Sequence, residues 1–123
     1  HWRAFPDAVP ALTRALEAGL QVGILTNGAT ELQQRKLERT GLDISGVQLL
    51  TSTDLGAAKP NPECYERALA AIETTAHETI MVGDSFPNDV EGARAVGITA
   101  FHLVRGHSSD DLYSLPSLDL LPF

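Results

Sequence analysis

The feature that most constrains the fold is a regular alternation of short apolar runs with stretches of helical spacing. Two of these runs, residues 21–26 and 79–82, end in a Gly-containing turn. Residues 21–26 (Gln-Val-Gly-Ile-Leu-Thr) are apolar, partly β-branched and closed by Asn27-Gly28, which reads as a buried strand entering a turn. Residues 79–82 are closed in the same way by Gly83-Asp84, residues 47–50 form another short strand, and residues 98–104 form the last. Before and between these runs lie the helices. Pro6 and Asp7 open the first, with Val9, Leu12 and Leu16 at helical spacing and Gly19 as the stop. The second covers about 29–39 and ends at Gly41. Asn61-Pro62 supplies an N-cap and a first-turn proline for the third, whose apolar stripe is Cys64, Tyr65, Ala68, Leu69 and Ile72. The fourth runs from Asn88 or Asp89 to Val96, with Gly97 after it. Strands alternating with helices predict an α/β fold, a parallel sheet covered on both faces.

Charge and composition exclude some functions. The formal net charge is −7, from 16 acidic and 9 basic residues, which argues against a nucleic-acid binder needing a basic face. A phosphorylated small molecule is compatible, because one metal ion and one lysine can offset its charge locally. No apolar run approaches the roughly 20 residues of a membrane-spanning helix, so no membrane partner is expected. Cys64 is the sole cysteine, which rules out an intrachain disulfide and fits a reducing cytoplasm. The chain opens on His1, with no charged-then-apolar leader after it, and is expected to be processed or cut from something longer.

Ligands of a parallel α/β sheet collect at the carboxyl ends of its strands. Thr26-Asn27-Gly28 ends the first strand, Lys59 lies in the loop before the Asn61-capped helix, and residues 83–89 follow the third strand. Each has a plain reading when taken singly: a turn, a solvated lysine, an aspartate cap. In this order and spacing, however, they resemble the haloacid-dehalogenase-like (HAD) hydrolase superfamily. Residues 23–28 look like its second motif, a strand ending in Thr or Ser. Lys59-Pro60-Asn61-Pro62 with Tyr65 resembles the third. Met81-Val82-Gly83-Asp84 through Asp89, continuing to Gly97, is similar to the fourth. The resemblance covers about residues 5–104.

The resemblance implies a three-layer, Rossmann-like core and phosphoryl transfer to an aspartate followed by hydrolysis, chemistry that is mostly positioning and charge neutralisation. By the same resemblance, Asp84 is a Mg2+ ligand and Asp89 a second acid that helps hold the metal or its waters. Thr26 is the hydroxyl that bonds the phosphate, the N–H groups of Asn27 and Gly28 are further donors, and Lys59 balances the carboxylates and the phosphate. The family's Asp-x-Asp motif occurs nowhere in the chain. Its strand would lie between the Thr26 strand and the Asp84 strand, so the sheet is expected to be incomplete there, with a helical cap missing as well. Those two strands would then close up, receive another copy of the chain, or receive a segment from elsewhere. Residues 1–105 are expected to be a partial core domain, and 106–123 a tail packing on it.

The implied function is thus a hydrolase of the phosphatase kind acting on a small phosphorylated metabolite, with this chain inactive by itself. The alternatives are a metal-independent dehalogenase, a catalytically silent binding or assembly module, and a receiver-like domain. The last would need paired acids early in the chain, and Asp7 is not in such a strand. Cys64 is read as packing, His102 as structural or at the rim, His77 and His107 as lacking ligand-type spacing, and Trp2 as part of the cap hinge or a truncated end.

Overall fold

A computed structural model of the chain describes residues 5–105, 113–121 and 123. The first helix, α1 (Ala8–Glu17), is followed by β1 (Val22–Thr26), α2 (Thr30–Thr40) and β2 (Val47–Thr51). Then come α3 (Ser52–Leu55), α4 (Pro62–Ala71) and β3 (Ile80–Gly83). A π-helical turn over Phe86–Glu91 runs directly into α5 (Gly92–Ala95), and β4 (Thr99–Leu103) and β5 (Ser114–Leu115) close the order.

Every strand pairing is parallel, as the alternation predicts. β1 pairs with β2 from Val22↔Val47 to Thr26↔Thr51, and β3 pairs with β4 from Ile80↔Thr99 to Gly83↔His102. The strands form two blocks, β1-β2 and β3-β4-β5. Among the described residues no strand joins them, so β1 and β3 do not close up on each other. A cleft of about 720 Å3 lies between them, lined by apolar residues of both strands, of α1 and of α4. The architecture is therefore an α/β layer structure whose parallel sheet is interrupted at one position, where the sequence placed the missing strand.

Local chemistry explains most boundaries. Asn61 Oδ1 accepts from the Glu63 N–H at 3.0 Å, and Pro62 occupies the first turn, where its missing N–H costs nothing. Gly41 ends α2 in the left-handed region at φ 75°, which a side chain would resist. The fourth helix starts two to three residues earlier than its sequence suggests. Ser85 Oγ accepts the Asn88 N–H, which moves the cap back to Ser85. α3 is an unexpected element, opened by Thr51, whose hydroxyl accepts from the Asp54 N–H at 3.2 Å.

The core centres on Tyr65, Val90, Ala93, Ile98 and Ala100, with Leu25, Leu69 and Met81 packed against it. In α1 the buried residues are Ala11 and Ala15, whereas Val9 of the expected apolar stripe is exposed. The Asp7 side chain does not cap α1. It is buried and its Oδ2 accepts from Arg105, Ser117 Oγ and the Leu118 N–H at 2.8, 3.0 and 2.9 Å. Arg14 donates to the carbonyls of Leu118 and Phe123. The end of the chain is thereby tied to its first helix, and β5 adds a short regular strand where an irregular segment was expected. Ser108, Ser109, Asp110 and Asp111 of that segment, with Trp2 and His107, lie outside the described residues.

Candidate active site

Lys59 is the joint between the two blocks. Its ammonium donates to the Leu25 carbonyl of β1 at 3.1 Å and to Asp89 Oδ1, in the turn after β3, at 2.6 Å. Both side chains of this ion pair are about 10% exposed. A pair so removed from water is held by charge-assisted hydrogen bonds rather than by Coulomb attraction alone. The carboxyl ends of β1 and β3 therefore lie on one side of the molecule, as the motif order implied.

Asp89 spends its other oxygen on the Ser85 N–H at 3.1 Å. It can sit there because residue 83 is glycine: a Cβ at Gly83 would overlap the Asp89 carboxylate. The Gly-Asp pair at the end of β3 thus has a packing cause on its glycine side. Asp84, in contrast, is exposed, and among the described residues its carboxylate has no hydrogen bond or ion pair. Its main-chain carbonyl faces His102 Nε2 at 3.1 Å, and the His102 ring meets Phe86 edge-on at 5.4 Å. His102 is accordingly a rim residue, as its place on the last strand suggested.

At the end of β1, among the described residues, the Thr26 hydroxyl is held only by a 3.4 Å contact to the Asn27 carbonyl. The Gly28 N–H, expected as an anion donor, is donated to Ser52 Oγ at 2.8 Å, and Thr53 Oγ1 bonds the Gly28 carbonyl at 2.8 Å. α3 therefore braces this turn. The Asn27 side chain reaches Lys59: Oδ1 accepts from the Lys59 N–H at 2.9 Å and Nδ2 donates to the Lys59 carbonyl at 3.1 Å. Sequence reasoning assigned Asn27 a main-chain role only, and nothing in the local sequence signals a contact 32 positions away.

Burial pushes the Cys64 thiol up, against a smaller opposing effect of Lys59, which fits a packing role. Tyr65 is pushed up to about 12, chiefly by burial, and its hydroxyl donates to the Asn88 carbonyl. Among the described residues no cluster of three His, Cys, Asp or Glu side chains forms a metal cage. The acids present are one uncommitted carboxylate, Asp84, and one committed to Lys59, Asp89. That set fits Mg2+, which keeps several waters and takes one or two carboxylates, better than it fits a metal needing an all-protein cage.

A family model described as haloacid dehalogenase-like hydrolase matches residues 1–97. The chain is 37% identical over 114 residues to a phosphoserine phosphatase of Thermus thermophilus, an alignment covering 93% of this chain and 46% of that protein. It superposes on a HAD phosphatase from Thermococcus onnurineus with a TM-score of 0.82 at 32% identity, covering 94% of this chain and 55% of the other. It also superposes on a dehalogenase solved with an intermediate complex, at a TM-score of 0.85 and 27% identity, covering 95% and 54%. The chain spans about half the length of the curated relatives it matches.

Proposed function

We propose, since this chain belongs to the haloacid dehalogenase-like hydrolase family, that the whole protein is a Mg2+-dependent phosphatase of small phosphorylated metabolites. The observation that carries this reading is the Lys59 bridge. One buried ammonium joins the Thr26 turn to the Asp89 turn, with the free Asp84 carboxylate beside the latter. A cation fixed beside an acid able to hold a second cation suits a phosphate dianion. The phosphatase names of the Thermus thermophilus and Thermococcus onnurineus relatives support it.

In this reading Thr26 turns its weakly held hydroxyl to a phosphate oxygen, and the Asn27 N–H adds a donor. Gly28 contributes only by exchanging Ser52 Oγ for a phosphate oxygen. Lys59 neutralises the substrate's charge on the side facing β1. Asp84 would hold Mg2+ directly, and Asp89 would act behind it, through the metal's waters and through Lys59. Bound there, Mg2+ would supply charge neutralisation at the transferring phosphoryl group. The nucleophilic aspartate would come from outside the described residues, on a strand entering the cleft between β1 and β3. Its carboxylate would take the phosphoryl group as the ester P–O bond breaks and the alcohol leaves with a proton. Water would then hydrolyse the aspartyl-phosphate to free aspartate and inorganic phosphate. Residues 1–105 would be core and 106–123 a docked tail. A cytoplasmic setting, and self-association through open sheet edges when the cleft is unfilled, go with this reading.

A dehalogenase reading has one observation in its favour, the likeness to the solved dehalogenase. The experiment that separates the two is hydrolysis of an aryl phosphate by the whole protein, with and without Mg2+, beside halide release from a 2-haloacid. Phosphate release that stops with chelator and falls steeply to a measurable residual rate with Lys59→Ala is expected. Halide release indifferent to chelator would replace the proposal. The 123 residues alone are expected to give no turnover of either substrate.

A further inference from the structure

The Asn27 side chain is exposed to solvent, yet both of its polar atoms are directed at the main chain of one distant residue. Oδ1 takes the Lys59 N–H and Nδ2 gives to the Lys59 carbonyl, at 2.9 and 3.1 Å. A carboxamide places a donor and an acceptor side by side without charge, so it can pair with the N–H and C=O of a single residue. An aspartate, which only accepts, or a lysine, which only donates, could satisfy just one of the two at this position.

The consequence lies in what Lys59 does next. Its ammonium stands on a long, flexible stem that loses rotamer freedom when it is fixed. It nevertheless spans from the Leu25 carbonyl to Asp89 Oδ1. That span requires the lysine's Cα to be held against the end of β1. The contacts that hold it there come from Asn27, two residues beyond Leu25 in the same turn. The main-chain pairing and the ammonium's bond to Leu25 thus fasten Lys59 to β1 at both its ends, and leave its second charge contact to reach across to Asp89.

We propose that Asn27 is a positioning residue for Lys59, setting the ammonium through the lysine's main chain rather than binding the substrate with its side chain. The catalytic part of this inference rests on the phosphatase reading. The structural part does not.

The test is a double-mutant cycle in the whole protein. Asn27→Ala is expected to lower kcat/KM for an aryl phosphate by about 10- to 100-fold, the scale on which misplacing a reactive group acts. In a Lys59→Ala background the same change should produce no further loss, because the group it positions is gone. Equal losses in both backgrounds would overturn the proposal, since Asn27 would then act by itself. Amide exchange gives a second reading that needs no activity. Exchange at the Lys59 N–H should accelerate in Asn27→Ala and stay slow in Asn27→Asp, which keeps the acceptor, while the Leu50 amide in β2 is unchanged in both. Unaltered exchange at Lys59 in Asn27→Ala would overturn the proposal too. A protein without phosphatase activity would remove the functional reading above and leave the exchange experiment to decide this one.

Discussion

The Lys59 ammonium and the Asp89 carboxylate meet at 2.6 Å with about nine-tenths of each side chain out of contact with water. Among the described residues no strand hydrogen bond crosses between the two blocks of the sheet, so this pair is a polar tie between them. Removing one member leaves the other as a buried charge with less than its full complement of partners. Lys59→Met and Asp89→Leu are each expected to destabilise the fold by about 3 kcal/mol. The double variant is expected to lose less than the sum, because neither orphan charge survives. Urea midpoints of the four proteins check this, and strictly additive losses would show that the two groups are not coupled.

What could be read beforehand, and what could not, divides along the range of the interactions. β1, α2 and α4 were legible because their signals are local: an apolar run, Gly41 past a helix, Asn61-Pro62 ahead of one. The order of Lys59, Asp84 and Asp89 along the chain matched a known pattern, and the meeting of Lys59 with Asp89 is the part of that expectation the ion pair displays. β5 was not legible. It is two residues long, and it exists because His102 and Leu103 offer it an edge and Asp7 holds the segment beyond it. The Asn27 clamp and the capture of Gly28 by Ser52 were hidden for the same reason, since both partners are distant in sequence. Lys59 was expected to balance the carboxylates and the phosphate together, but which carboxylate it takes, Asp89, was not readable in the sequence.

Gly83 is a position where no side chain is tolerated. A methyl group there would occupy the space of the Asp89 carboxylate, which would have to leave either the Ser85 N–H or Lys59. Gly83→Ala is expected to destabilise the chain by about 1–3 kcal/mol, the usual cost of overpacking. A sharper check is a nuclear magnetic resonance spectrum of the lysine ammonium groups. The slowly exchanging Lys59 signal expected in the parent should vanish in Gly83→Ala, and its persistence would mean that Asp89 has room to shift while keeping its partner.

Asp7 makes stability depend on pH. Its hydrogen bond from Arg105 holds the carboxyl well below the usual carboxylate range, against the opposing effect of burial, with help from the Leu118 N–H and Ser117. An unfolded aspartate takes up its proton near pH 4. The Asp7 contribution is therefore complete above about pH 4 and is lost progressively as pH falls from there toward the lower folded value. At neutral pH, Asp7→Asn is expected to cost roughly 2 kcal/mol, the scale of hydrogen bonds to a charged group. Denaturant midpoints of parent and variant should differ at pH 7 and converge below pH 4, and a gap independent of pH would show that the charge is not what Asp7 contributes.

The open edges of β1 and β3 lead to a prediction about association. Among the described residues neither strand has a pairing partner on the side of the cleft, and Ile80, at the start of β3, is 42% exposed. Unpaired N–H and C=O groups beside apolar surface invite a strand from another molecule, and charged residues at an edge discourage it. The chain as it stands is therefore expected to self-associate as its concentration rises, as seen by sedimentation velocity. Ile80→Lys should shift the balance toward monomer, because a lysine there would bring a charge into the cleft. A chain that stays monomeric at high concentration would mean that these edges are already covered in solution.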